Sequence, residues 1–560
     1  MTRRTALILV AVLGCLHVAL GWAFIRASAP TYDEPLHLVS GYTYLQTGDL
    51  RLDKVDHPVL AQMWEALPLY LSRPSLKTHP ELGSPVNVQQ PGERFLVENA
   101  LPADEVFART RLFGLLTWTA LLLAVLVLWA KGLSGWDAAV WTAFFFAWTP
   151  GFLANSALTT TDAACTAFYC AAFFCAYRST LGPRRWAWTA LSGVMAGLAM
   201  ASKYSMAVLP ALLAALYAWD SRRDWRARLP SALLQAAAAW ACCAVTLALV
   251  YRFSQLPLYW EGMRALAANM AGGKSSFLAG RISPTGFWLY FPTALAVKTP
   301  VPTLLLGLGA AAWLARRDRG PAFTWAVLPM AAYFAAATAS KFQIGYRHML
   351  PALPMLVLLA GCAAARLSGK GRAFLAGTLL LGAWQAASVL RSHPHYLSYF
   401  NELVGGPRGG HKILLDSNLD WGQGLKPLGE ELRRMGSPPV FLSYFGTADP
   451  AWYGISHMPF INVSSGIERP TPKVFPAASG KVLLAVSATN LHGVYIRPSE
   501  TWGWLLKRRP LSTPGYSMFL YDLSDDPEGV GKLADMLIDS QRFDEAVELL
   551  EQAERNSLAR

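Results

Sequence analysis

The chain has 560 residues, a formal net charge of +13, 53% hydrophobic residues and only 15% charged ones. An ordinary soluble protein carries roughly 25% charged residues, so this composition excludes a disordered chain and argues against a wholly soluble one. The positive balance is no nucleic-acid footprint, because the cations sit in short clusters between long apolar runs, and nucleic acid is not an expected partner.

A membrane-spanning helix needs about 20 mostly apolar residues. Eleven stretches are candidates, at about 6–24, 112–130, 138–154, 157–177, 186–201, 205–219, 229–251, 291–314, 321–339, 349–365 and 373–390. The stretches 186–201 and 205–219 are short enough to form a tight hairpin. The first stretch reads as a retained span, not a cleaved signal. The cations Arg3 and Arg4, Lys131, Arg184 and Arg185, and the clusters at 222–228, 316–319 and 366–372 mark cytoplasmic loops, with the N-terminus inside. Residues 26–110, 252–290 and everything after Leu390 then lie outside the cytoplasm. All seven cysteines fall in the spans, where they read as small buried hydrophobes.

The first outer segment reads TYDEPLHLVSGYTYLQTGDLRLDKVDHPVLAQMWEALPLYL. Its apolar spacing predicts helices at 35–46 and 58–71, lying along the membrane surface. Asp33 and Glu34 stand where the first span turns into the first of these helices, and His57 precedes Pro58 at the start of the second. Asp162 lies about six residues into the span after Asn155. A carboxylate in a span is a functional candidate by default; the lesser alternative is a cap on a helix turn with Thr159–Thr161. Lys203, Lys298, Lys341, Arg347 and His348 all fall at the outer ends of their helices. A single lysine there could simply snorkel to the interface; a one-sided set is harder to explain that way.

Cations at a lipid–water boundary suit a phosphate carried by a lipid. A carboxylate beside them suits a general base. Together they describe displacement at a carbon bonded to a lipid phosphate, with the cations stabilising the charge that grows on the departing group. The GGPRGG run at 405–410 lacks the spacing and the Lys-Ser/Thr of a nucleotide-binding loop and reads as a turn.

DEPLH in the first outer loop, DHP some twenty residues later, TTTDAA, ASKYS, YFPTALAVKTP and GYRHMLPALP resemble the polyprenyl-phosphate-sugar glycosyltransferases of the GT-C fold, which include protein O-mannosyltransferases and lipid A aminoarabinose transferases. The resemblance covers about residues 1–400. It implies Asp33 as catalytic base, supported by Glu34, with Asp162 as a second acidic position that orients the acceptor or a metal. It further implies donor-phosphate contacts from Lys203, Lys298, Lys341, Arg347 and the adjoining His348, and inversion at the anomeric carbon. His57 is a further site candidate, as the His of the DHP segment. Relatives often read His-Pro-Pro-Leu followed by a basic residue, whereas this chain has Val59 and Gln62. A divalent ion, if used, would fall to Asp33, Glu34 and Asp162, although no ligand spacing demands one.

After Leu390 the composition turns soluble. Strands are expected at 412–416, 440–445, 481–486 and 518–522, and a helix at 423–435. DSNLDWGQ resembles a segment of bacterial members of the same group; its Asp416 and Asp420 could bind a metal or a sugar, or cap the following helix. His393 and His395 form a lone His-x-His pair, weak evidence for a metal. Residues 526–560 resemble a single tetratricopeptide helix pair, which must pack on something to bury its apolar face.

The expected architecture is therefore a polytopic all-α membrane domain of GT-C type (1–390), with about eleven transmembrane helices and interfacial helices in the first outer loop. An extracytoplasmic α/β domain (391–525) and a helical tail (526–560) follow. The expected activity is sugar transfer at the outer face of the cell (inner) membrane, from a polyprenyl-phosphate donor to a hydroxyl of a protein, lipid or glycan. The rival expectation is a transporter or lipid flippase, which should carry paired repeats and polar groups near the midplane.

Overall fold

The computed structural model describes residues 1–78, 90–460, 475–476 and 480–558. Each of the eleven apolar stretches holds helix. Among the described residues, five helices are long and apolar enough to cross a membrane: Arg3–Ala27, Ala103–Ala147, Trp225–Val250, Tyr346–Ser368 and Arg372–Leu390. The 45-residue Ala103–Ala147 helix is two helices in one register-broken run. Ser134 and Gly135 leave helical geometry at its middle, and Gly135 takes φ +84°, a conformation open chiefly to glycine. This break separates the two stretches expected at 112–130 and 138–154.

The stretch expected as one span at 291–314 is divided into helices Tyr290–Lys298 and Val301–Arg317. Pro300 is responsible: it removes a backbone donor and pushes the preceding Thr299 to extended geometry. Lys298 consequently ends a helix instead of standing inside one. The two helices of the first loop form as expected, at Glu34–Thr47 and Leu60–Ser72, with Pro35 in the first turn of the former. They cross closely, since a Cβ on Gly41 would lie 2.0 Å from the Gln62 carbonyl oxygen.

The C-terminal part holds a four-stranded sheet in the order His457–Pro459, Val440–Ser443, Leu483–Ser487, Met518–Asp522. The first two pairings are parallel, with Phe441 opposite Met458 and Leu484. The last is antiparallel, with Ala485 opposite Leu520. Helix Leu425–Arg434 buries Leu425, Leu428 and Leu432 against Val440, Leu442, Leu483 and Leu520. The strand expected at 412–416 does not form. A short helix at Pro407–Gly410 turns the chain, and Asp416 takes φ +55°, which ends any extended run. The tail forms two helices, Pro527–Asp539 and Phe543–Leu558. Its Val530, Leu533 and Leu537 join the core that contains Trp502 and Leu505.

Candidate active-site cavity

Five chain segments bring charge to one end of the helical bundle, each at a helix terminus. Asp33 immediately precedes helix Glu34–Thr47. Asp162 lies in the first turn of helix Thr161–Ser179, and Lys203 in the break between Arg185–Met200 and Tyr204–Val208. Arg347 opens the Tyr346–Ser368 run. Lys274 lies in the loop after helix Leu256–Ala271. A helix end is the natural place for such groups, because the backbone has unpaired N–H or C=O groups there and polar company is already required.

The charges are arranged as a chain. Arg347 Nη2 lies 3.3 Å from Asp33 Oδ2, and Arg347 Nη1 lies 3.4 Å from Asp162 Oδ2. Lys203 pairs with the other oxygen of Asp162. Asp162 is 1% exposed, so its charge is offset from within by these two cations. Burial works to raise the pKa of Asp33, while Arg347, followed by His37, His57 and Lys274, brings it below its ordinary value. Asp33 is therefore a carboxylate at neutral pH.

Asp33, Lys203, Arg347, His348, His57 and Lys274 line one cavity of about 500 Å³. Tyr32, Trp421, Phe445 and Tyr495 form an aromatic wall beside Asp33; Phe445 stacks between Tyr32 and Tyr495, with ring centres 5.3 and 5.5 Å away. Val208, Leu266, Met270, Ala336 and Ala337 give the same cavity an apolar portion. Val208 is 48% exposed, so this portion reaches the outside of the bundle.

Not every expected residue joins the cavity. Glu34 is fully buried and turned away: Arg111 grips it with Nε at 2.8 Å and Nη2 at 2.6 Å, and the Thr31 and Thr159 N–H groups donate to it. It ties the first loop to two spans. Asp162 stands behind Lys203 and Arg347 and is not part of the cavity wall. Lys298 Nζ donates to the carbonyls of Leu397 (2.8 Å) and Asn418 (2.5 Å), away from the cavity. Lys341 lies between the lining residues Ser340 and Phe342 but is itself exposed and outside the wall. Conversely, Lys274 and the aromatic wall were not anticipated. A lysine in an outer loop was the available signal for Lys274; the wall comes from residues remote in sequence.

The residues expected to hold a divalent ion do not come together, since Glu34 is committed to Arg111 and both aspartates to Arg347. A different group does converge. One ligand atom each from His37, Asp53 and His57 lies within 4.8 Å of the others. Gln62 Nε2 already spans two of them, at 2.9 Å from His37 Nδ1 and 2.5 Å from Asp53 Oδ2. Burial pushes Asp53 up to about 7 and His37 down to about 4.

The apolar spans and the charged cavity at their ends define a multi-pass membrane protein with a polar site at one end of its bundle. Residues 107–255 match the family model of dolichyl-phosphate-mannose-protein mannosyltransferases, a segment that includes Asp162 and Lys203. No curated protein matches the sequence significantly. Among solved structures, the chain is similar to ArnT from Cupriavidus metallidurans bound to undecaprenyl phosphate, with 12% identity, a TM-score of 0.49, and coverage of 93% of this chain and 98% of that one. It is also similar to the archaeal oligosaccharyltransferase AglB from Archaeoglobus fulgidus in complex with an inhibitory peptide and a dolichol-phosphate. There the identity is 12%, the TM-score 0.43, and the coverage 69% of this chain and 56% of that one.

Proposed function

We propose that the protein is a membrane glycosyltransferase that moves a sugar from a polyprenyl-phosphate donor to an acceptor hydroxyl on the extracytoplasmic face, with inversion. One observation carries this reading: Asp33 shares a cavity with Arg347, Lys203 and Lys274, and the same cavity is lined by apolar residues that include the exposed Val208. A lipid phosphate needs both surfaces, cations for its head and an apolar exit for its chain. The family match over 107–255 supports the same chemistry.

Asp33 takes the proton from the acceptor hydroxyl as its oxygen bonds to the anomeric carbon. The bond from that carbon to the phosphate oxygen breaks, and the lipid phosphate leaves with the electron pair. Arg347, Lys203 and Lys274 stabilise the charge that develops on it. Asp162 keeps Arg347 and Lys203 in place from behind. Attack and departure on opposite faces of the carbon give inversion. The aromatic wall of Tyr32, Phe445 and Tyr495 offers flat faces for a sugar ring.

The test is mass spectrometry of surface glycans and glycoproteins from cells with and without the gene. Loss of a defined glycosylated product, restored by the wild-type gene but not by Asp33→Asn, is the expected result. An unchanged glycan profile accompanied by a lost solute uptake would overturn the reading in favour of transport.

A further inference from the structure

The DSNLDWGQ segment (416–423) belongs to the soluble part of the chain, yet it contacts three separate parts of the membrane half. Ser417 Oγ accepts from Arg347 Nε at 3.1 Å and donates to the Ile344 carbonyl at 2.8 Å. The Arg347 guanidinium carbon lies 4.0 Å from the centre of the Trp421 ring. Asn418 Oδ1 accepts from the Tyr346 N–H at 2.8 Å, and the Asn418 carbonyl accepts from Lys298 Nζ at 2.5 Å. On the other side, the Trp421 carbonyl accepts from the Tyr32 N–H at 2.8 Å and the Gln423 carbonyl from the Ala29 N–H at 3.1 Å. One short segment therefore holds both the backbone just before Asp33 and the guanidinium that faces Asp33.

Arginine has a long side chain with much rotamer freedom, and its two carboxylate contacts, at 3.3 and 3.4 Å, are long for charge-assisted hydrogen bonds and hold the plane only loosely. Stacking on an indole fixes the plane, and a hydrogen bond from Nε fixes rotation within it. The two terminal nitrogens are then left for Asp33 and Asp162. The approach is tight: a Cβ on Gly345 would lie 2.0 Å from Ser417 Oγ, so a larger residue there would push the Ser417 hydroxyl away from Arg347.

We propose that residues 416–423 are a positioning element of the membrane site. Ser417 and Trp421 orient Arg347, and the Trp421 and Gln423 carbonyls pin the loop that carries Asp33. The C-terminal region thereby sets the spacing between the base and the cation that grips phosphate. What Arg347 grips rests on the glycosyltransferase reading; that Arg347 is held by this segment does not.

The experiment uses the full chain in nanodiscs, with Trp421→Ala, Trp421→Phe and Ser417→Ala made alone and combined with Arg347→Ala. Undecaprenyl phosphate is the binding probe, and thermal unfolding is read in its absence. Trp421→Ala is expected to weaken binding about tenfold, a loss that Trp421→Phe largely restores. In the Arg347→Ala background Trp421→Ala should cost nothing further, and the two Tm losses should be clearly less than additive. Equal losses with and without Arg347, in both affinity and Tm, would overturn the proposal. If the wild type binds no undecaprenyl phosphate, the donor reading fails, and the Tm cycle alone decides: sub-additive losses support positioning and additive losses refute it.

Discussion

Arg347 and Asp33, brought together from opposite ends of the membrane half, meet at 3.3 Å on the wall of a shared cavity. Unlike the fully buried Glu34–Arg111 pair, this one faces an open cavity, where both groups can meet a ligand. In the proposed reaction Asp33 takes the acceptor proton while Arg347 holds the departing phosphate, so the placement of each relative to the other matters.

Removing the base should separate chemistry from folding. Asp33 is half-buried and its neighbours keep other partners, so Asp33→Asn preserves the shape of the site. Transfer should fall by roughly 10²–10⁴-fold, with donor binding and Tm near wild type. Steady-state kinetics on the purified variant decide it; a wild-type kcat would remove Asp33 from the role. Because Asp33 titrates below its ordinary value, any acid limb of kcat/KM from this group should lie at lower pH than an ordinary aspartate would place it.

Asp162 and Lys203 should behave as a coupled pair. Loss of either partner leaves the other poorly compensated in a buried setting, which costs about 3–5 kcal/mol. Asp162→Asn combined with Lys203→Met should lose less stability than the sum of the singles, as read by thermal unfolding. Simple additivity would show that the contact between them contributes nothing.

Lys298 should prove structural. Its ammonium is held by the carbonyls of Leu397 and Asn418 and lies over the Phe400 ring, 4.5 Å from its centre. Lys298→Met should lower Tm more than Arg347→Ala does, while Arg347→Ala raises the donor KM more. The reverse ranking would return Lys298 to the list of phosphate contacts.

The cluster of His37 and Asp53 makes a prediction with two opposed signs. Asp53, raised to about 7, contributes stability at low pH that is lost as pH rises from about 4 towards 7. His37, depressed to about 4, contributes stability present above its ordinary value near 6.5 and lost as pH falls towards 4. In the wild type the two slopes oppose each other between about pH 4.5 and 6.5. Asp53→Asn should leave a Tm that falls on acidification over this window, and His37→Gln one that falls on alkalinisation. Parallel Tm profiles for both variants would contradict the assignment.

The sequence made some of this legible and hid the rest for definite reasons. Apolar runs specify helices strongly, so every expected stretch holds one, and the one-sided clustering of Asp33, Lys203 and Arg347 pointed to a shared site. Pro300 was visible, yet its consequence for Lys298 depended on acceptors more than ninety residues away, at Leu397 and Asn418. Glu34 looked like a catalytic partner because it adjoins Asp33. A helix start sends neighbouring side chains in different directions, and only the fold reveals Arg111 beside it. The aromatic wall and the grip of 416–423 on Arg347 are long-range contacts with no local pattern to betray them.

The central claim is that a lipid phosphate sits at this cavity with its chain leaving by the apolar wall. A cryo-EM structure of the protein in nanodiscs with undecaprenyl phosphate tests it directly. Phosphate density is expected in contact with Arg347, Lys203 and Lys274, close to Asp33, with a chain running past Met270 and Ala337. Phosphate bound elsewhere, with this cavity left to solvent, would contradict it.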